Sequence, residues 1–268
     1  MTRVAVVIPA YGRQELTQAV VRQLRAESDL QTTIVVDNAG DYDTVASEIV
    51  LRPGENLGWL RGTNLGIRHA LDDESFSHVC LLNNDVLLAD GFIAGLVAAC
   101  APGVGVVAPS YDDSFAVQSA YYTGPAANFT PQTVDVEAEV VDGTCMLLPR
   151  EVVERVGLLD ERNFGRYGWG ACDDLCLRMK CAGLLVLVTR RSYLEHRRGS
   201  TASMVLKDYH RRAMAEMYFG MRRKYGRRWP ERFPSGTFDR HLAPQMFRRQ
   251  LKVRVMDRTG ILRWMKQW

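Results

Sequence analysis

Three polar residues, Asn83, Asn84 and Asp85, interrupt an apolar run that extends from Val79 to Leu82 and resumes as Val86-Leu87-Leu88. A carboxylate flanked by two amides can hold a divalent cation while the amides orient a sugar or a phosphate. Two more carboxylates, Asp173 and Asp174, stand side by side where a helical stretch opens, a position that capping and the helix dipole also favour. His196 follows the last strand-like run in a Gly/Ser segment, Glu195 to Thr201, a setting open to a functional imidazole as well as a packing one.

The elements that must position these residues follow from the periodicity. An uninterrupted Val/Leu/Cys run reads as a strand buried on both faces of a parallel sheet, which puts Asn83 to Asp85 at its carboxyl end, where open α/β sheets bind ligands. Val4 to Ile8 is a β-branched run ended by Pro9; Ala10 to Arg13 form a loop, residues 14–26 a helix, and Thr33 to Val36 a second strand that runs into Asp37-Asn38. The resulting βαβ unit, with its right-handed crossover, brings Pro9-Ala10-Tyr11 next to Asp37 and Asn38. Between this unit and the Val79 strand, glycines at 54, 58, 62 and 66 alternate with Asn56 and Asn64, which predicts a loop leading into a helix over 64–71. Glycines there let the backbone approach a ligand, and the helix N-terminus favours an anion. The segment is neither G-x-G-x-x-G nor a lysine-bearing phosphate loop.

Downstream, the sequence predicts a helix over 92–100, strands over 104–108 and 140–148, and a short helix over 150–156 closed by Gly157. Residues 111–134 give no clear pattern. The Arg162 to Gly170 stretch, with three glycines and three aromatics, reads as a mobile loop able to stack on a ring. A helix opened by Asp173-Asp174 closes at Gly183, a strand covers 184–188, and a helix over 207–225 places Tyr209, Met214, Met217, Tyr218 and Met221 at its apolar positions.

At 268 residues with 47% hydrophobic content, the chain supports one large α/β domain or two small ones. No stretch approaches the ~18 apolar residues of a membrane span, and the N-terminus runs straight into a strand, so a cytoplasmic protein is expected. The six cysteines fall largely in apolar runs, and Cys172, Cys176 and Cys181 lack partners at zinc-site spacing. Charge divides the chain: residues 1–189 carry 13 Lys+Arg against 25 Asp+Glu, and residues 190–268 carry 21 against 6. So basic a C-terminus suits an anionic membrane, a lipid-pyrophosphate acceptor or a nucleic acid, or else lies against the acidic body.

In order and spacing the segments resemble the family-2 glycosyltransferases of GT-A fold, in particular their rhamnosyltransferase-like branch, over about residues 3–225. The resemblance rests on Val6-Val7-Ile8-Pro9-Ala10-Tyr11, Val35-Val36-Asp37-Asn38, Asn56-Leu57-Gly58 with Asn64-Leu65-Gly66, Leu81-Leu82-Asn83-Asn84-Asp85, and Gly157-Leu158-Leu159-Asp160-Glu161. Two departures stand out. Asn83 occupies the first carboxylate of the metal-binding D-x-D, and the family's E-D-x-D-L-x-x-R appears as Ala171 to Arg178, leaving the base open between Asp173 and Asp174.

The resemblance implies a mostly parallel central sheet flanked by helices over residues 1–205, a basic helical extension over 206–268, and inverting transfer from a nucleotide-diphosphate sugar. It implies that Asp37, Asn38 and the Pro9-Ala10-Tyr11 backbone hold the nucleotide, and that Asn56, Gly58, Arg61, Asn64, Asn83 and Asn84 line nucleotide and sugar. Asp85 and His196 would ligate Mn²⁺ or Mg²⁺, Asp173 or Asp174 would be the general base, and a Phe164-Tyr167-Trp169 loop would cover the reactants. Three readings of the role follow: assembly of a cell-surface glycan or polysaccharide on a glycan or lipid-linked acceptor, transfer to a modified base of DNA, and a catalytically silent nucleotide-sugar-binding protein.

Overall fold

The computed structural model of the chain describes residues 2–27, 30–112, 122–165, 167–197, 209–227 and 229. Its first half is a βαβ progression: β1 (Val4–Ala10), α1 (Gln14–Glu27), β2 (Gln31–Asp37), β3 (Ile49–Leu51), α2 (Gly58–Leu71) and β4 (His78–Leu82). There follow β5 (Val86–Leu88), α3 (Phe92–Ala99), β6 (Val104–Tyr111), a 3₁₀ turn at Ala126–Asn128, and β7 (Asp135–Glu137). The chain continues through β8 (Cys145–Pro149), α4 (Arg150–Val156), α5 (Glu161–Phe164), α6 (Ala171–Cys181), β9 (Leu185–His196) and α7 (Tyr209–Tyr225).

The strands form one sheet in the order β3-β2-β1-β4-β8-β6-β9-β5, with β7 on β9. The sheet is parallel through β3-β2-β1-β4, and it becomes mixed where β8 enters antiparallel to both β4 and β6. The expected parallel pairing holds through β3-β2-β1-β4 and again between β6 and β9, while β8, β5 and β7 pair antiparallel to their neighbours, because a strand entering next to β4 from the opposite direction can pair only antiparallel to it.

Alternation along β1 shows how the sheet feeds two cores. Val4, Val6 and Ile8 join Val20, Val21 and Leu24 of α1 and Phe92, Ile93 and Leu96 of α3 on one face. Ala5 and Val7 join Leu60 and Ile67 of α2, Val152 and Val153 of α4, Leu175 and Met179 of α6, and Tyr218 and Met221 of α7 on the other. The described part of the C-terminal segment therefore packs in the same core as the sheet.

Pro9 does not end β1, as the sequence had suggested; the strand runs on to Ala10. Ala10 gives its carbonyl to Asn38 on the β2 side, so by alternation Pro9 faces the β4 side, where pairing has already stopped at Val7. The missing N–H breaks no ladder bond. The glycine segment also differs from expectation, since α2 starts at Gly58 and carries Gly62 and Gly66 inside it. A Cβ on Gly66 would lie 2.3 Å from Val7 Cγ1, and one on Gly62 3.1 Å from Asn38 Nδ2, so these glycines serve close packing of helix on sheet. The strand expected over 140–148 shortens to β8 because the Asp142 carboxylate accepts from Thr144 N at 2.9 Å and turns the chain before Cys145.

Candidate active site

The carboxyl ends of β1, β2 and β4, the turn before β8, the end of β9 and the first turn of α6 converge on one region. At the β2 tip, Asp37 is buried and its carboxylate is fully engaged. Oδ1 accepts from Ala39 N at 3.2 Å and Gly40 N at 2.7 Å; Oδ2 accepts from Tyr42 N at 3.0 Å and Arg52 Nε at 3.3 Å. In this arrangement Asp37 shapes the turn after β2, and its expected direct contact with a base would require one of four protein donors to leave. Asn38 Oδ1 accepts from Leu57 N at 3.1 Å, tying the start of α2 to the same tip, and Asn56 Oδ1 accepts from Gly58 N at 2.9 Å. Tyr11 is exposed beside them, while Ala10 is buried. Arg61 points to the surface in a 3.6 Å pair with Glu55.

Asn64 is a correction. Its side chain is wholly buried and donates to Leu159 O at 2.9 Å and Glu161 Oε1 at 2.8 Å, while its Oδ1 accepts from Leu159 N at 3.2 Å. Because α2 starts at Gly58, ahead of the expected helix start at Asn64, this residue lies in the second turn and clamps the Gly157 to Glu161 step, with both ends of its amide taken by protein.

At the β4 tip the polar triplet separates into three roles. Asn84 is buried and donates to Thr17 Oγ1 of α1 at 3.0 Å. Asn83 takes Trp59 Nε1–H on its Oδ1 at 3.0 Å and gives its own N–H to Thr144 O at 2.9 Å. Asp85 Oδ1 stands 3.3 Å from His196 Nε2, and both side chains are largely covered. The sequence put His196 in a loop; it is the last residue of β9, held opposite Val86 by the β5–β9 ladder, and that register delivers the imidazole to Asp85. Among the described residues no three His, Cys, Asp or Glu side chains cluster as a metal site, so the Asp85–His196 pair provides two donors.

The neighbours Asp173 and Asp174 have opposite environments. Asp174 is completely buried: Oδ2 accepts from Arg178 Nε at 2.9 Å, and Oδ1 takes Tyr225 Oη at 2.6 Å and Lys224 Nζ at 2.7 Å. Arg178 goes on to Val156 O at 2.5 Å and Leu158 O at 2.8 Å, so this aspartate locks α6 to α7 and to the turn after α4. Asp173 is half-buried, and among the described residues no other side chain donates to it. Burial pushes its carboxyl up to about 6; its own amide pulls the other way, and the charges of Asp142 and Asp174 push it further up. Cys172 and Cys176 complete the acidic, apolar surroundings of this turn.

The aromatic segment is more fixed than the sequence predicts. Phe164 ends α5 fully buried against Gly170 and Gly220, which removes it from any cover over the site. Tyr167 and Trp169 stand edge-on to Tyr209 of α7, at 5.6 and 6.3 Å between ring centres, and Tyr167 N donates to Glu216 Oε2 at 2.7 Å.

Sequence reasoning missed three residues that join the parts. Tyr111 hydrogen-bonds through Oη to Asp142 Oδ2 and sits edge-on to His196, with 6.4 Å between ring centres, so it bridges the Asp85–His196 pair to the acidic turn near Asp173. Asp142 lay inside what looked like a strand, although the Asp-Gly dipeptide is a turn signal. Trp59 lay among glycines that drew attention to the backbone.

A parallel β3-β2-β1-β4 half-sheet with polar strand tips, continued by an antiparallel β8 and a carboxylate-bearing helix, defines a GT-A nucleotide-sugar transferase fold. The chain belongs to glycosyl transferase family 2, whose description it matches over residues 5–157. Its relatives include the uncharacterized proteins Rv1525 of Mycobacterium tuberculosis (strain ATCC 25618 / H37Rv) and Mb1552 of Mycobacterium bovis, each 36% identical over 228 residues, covering 84% of this chain and 85% of theirs. Among solved structures, it is similar to a mannosyltransferase from Pyrobaculum calidifontis in complex with GDP-Man and Mn²⁺, with a TM-score of 0.55, 16% identity and coverage of 81% of this chain. It is also similar to GalNAc-T7 with UDP, GalNAc and Mn²⁺, with a TM-score of 0.58, 12% identity and coverage of 85%. The match spans 63% and 52% of those two chains, respectively. Among the described residues no helix is long and apolar enough to cross a membrane.

Proposed function

We propose that the chain is an inverting glycosyltransferase of the rhamnosyltransferase-like branch, moving a sugar from a nucleotide-diphosphate donor to an acceptor hydroxyl in cell-surface glycan or polysaccharide assembly. The observation that carries this reading is the contrast within one helical turn. Asp174 is neutralised and structural, while Asp173 is left with its carboxyl raised to about 6, suited to accept a proton from an acceptor hydroxyl near neutral pH. Asp173 is therefore assigned as the general base.

The donor set at Asp85 and His196 fits a hard divalent cation. Two ligands in adjacent positions on an ion with bonds of about 2.1 Å stand about 3 Å apart, and Asp85 Oδ1 and His196 Nε2 are 3.3 Å apart. Both solved relatives carry Mn²⁺. A cation held there, Mn²⁺ or Mg²⁺, would offset the charge that develops on the leaving diphosphate. The β2 tip, with Tyr11 and the Asn38–Leu57 bond, would hold the nucleoside, and Trp169 would border the sugar. The basic residues 206–268 would bring the enzyme to an anionic acceptor surface such as a lipid-linked saccharide.

The test is a melting-temperature panel of UDP-, GDP-, dTDP- and CDP-sugars with Mn²⁺, Mg²⁺ or chelator, since a ligand of the native state raises its melting temperature by mass action. A metal-dependent shift with one nucleotide class is expected, followed by a product of inverted anomeric configuration by NMR. No shift with any donor would overturn the nucleotide-sugar reading, and a shift with no transfer product would leave the silent-protein reading in its place.

A further inference from the structure

The replacement of the first carboxylate of the acidic motif by Asn83 has a structural counterpart in Trp59. An indole N–H can only donate, so the Asn83 atom that meets Trp59 Nε1 at 3.0 Å is the carbonyl oxygen, and the amino group is turned the other way. The indole is seated where two residues lack a side chain. A Cβ on Gly143 would lie 2.4 Å from Trp59 Cζ2, and one on Gly168 3.0 Å from Cε3. The Asn83 backbone is held as well, through its N–H to Thr144 O at 2.9 Å. Among the described residues the Asn83 amino group meets no acceptor, although it stands two positions from Asp85 at the tip of β4.

We propose that Trp59 is a positioning residue that locks Asn83 as a hydrogen-bond donor, so that Asn83 Nδ2 recognises an acceptor oxygen of the nucleotide-sugar donor and its Oδ1 is withheld from the cation. The proposal rests on the nucleotide-sugar reading above and deepens it. A carboxylate at position 83 could serve Trp59 with one oxygen, but would then present a second acceptor to the sugar hydroxyls or the diphosphate. The asparagine is thus a donor-recognition element and not a degraded metal ligand. The recognised oxygen belongs to either the sugar or the diphosphate, and both present the same acceptor chemistry.

The experiment titrates wild type, Asn83→Asp, Asn83→Ala, Trp59→Phe and the Trp59→Phe/Asn83→Ala double variant. Probes are Mn²⁺ alone and, with Mn²⁺ present, UDP-glucose, GDP-mannose and dTDP-rhamnose beside UDP, GDP and dTDP. Asn83→Asp is expected to weaken the bound nucleotide sugar about tenfold or more without tightening Mn²⁺, as a donor becomes a like-charged acceptor. Trp59→Phe should weaken it in the same direction, by about three- to tenfold, and the double variant should be no weaker than Asn83→Ala alone, because the two residues act through one bond. Weakening of the nucleotide sugar without weakening of the free diphosphate assigns the oxygen to the sugar; weakening of both assigns it to the diphosphate.

The proposal is overturned if Asn83→Asp tightens Mn²⁺ with donor affinity unchanged, or if the Trp59 and Asn83 effects add in full. Should Trp59→Phe fail to fold, Asn83→Asp decides alone. A wild type that binds nothing on the panel sinks the nucleotide-sugar reading itself, whereas a wild type that binds with indifferent Asn83 variants sinks this proposal alone.

Discussion

The tip of β2 and the first turn of α6 each present a covered aspartate to the same region, and the two are built for opposite ends. Asp37 accepts four hydrogen bonds, three of them from backbone amides within five residues, so its charge is used to fold a turn. Asp173 has two like charges nearby and no other side chain donating to it among the described residues, so its environment favours a bound proton. Covering a carboxylate does not by itself say what it does; the balance of donors against like charges does.

Several substitutions would break or sharpen that comparison. Replacing Asp173 by Asn should lower turnover by about 10²- to 10⁴-fold, the usual range for removing a general base, while the melting temperature at pH 7 stays the same or rises. The sign follows from linkage. Between the ordinary carboxylate value of 3.8 and about 6, the native state holds a proton that the unfolded chain has released, so stability falls as pH rises through that window and Asn removes the loss. A large drop in melting temperature would place Asp173 with Asp37 as a structural residue.

Asp174→Ala should instead cost about 3–5 kcal/mol of unfolding free energy, because Lys224 and Arg178 would lose their buried counter-charge; a urea midpoint measures it. Asp37→Asn, which keeps the shape but turns one acceptor into a donor facing an amide or Arg52, should cost about 1–3 kcal/mol. Its KM for donor would rise only as far as the turn loosens. A selective loss of nucleotide affinity at unchanged stability would show that Asp37 gives up a protein donor to bind the base. The smallest effect is expected at Asp142: Asp142→Asn removes one of the charges that raise Asp173, so the acid limb of the kcat/KM profile, near pH 6 in the wild type, should move to lower pH with little change at the plateau.

Much of this layout is legible in the sequence where the signal is local. The Val4, Thr33 and Val79 runs mark β1, β2 and β4, because strands buried on both faces need unbroken apolar residues, and the polar residues that follow the last two, Asp37-Asn38 and Asn83 to Asp85, fall at the strand tips. The glycine segment misled because glycine signals freedom in a sequence, whereas Gly62 and Gly66 are there for lack of space. Asn64 misled for a related reason: a polar residue between glycines looks exposed until the step from Gly157 to Glu161, nearly a hundred residues later, arrives to take both ends of its amide.

By itself, the sequence determined the βαβ order, the strand ends that carry Asp37, Asn38 and Asn83 to Asp85, and the presence of an acidic pair at the start of α6, since each is set by residues within one element and its flanking turn. Only the tertiary structure decided which member of that pair is taken up by ion pairs. The partners of Asp174 are Arg178 one turn on and Lys224 and Tyr225 from α7, while the charge of Asp142 reaches Asp173 from the turn before β8. Likewise, the pairing of Val86 with His196 across β5 and β9 brings an imidazole to Asp85 from 111 positions away, and a register of that kind exists only once the sheet has closed.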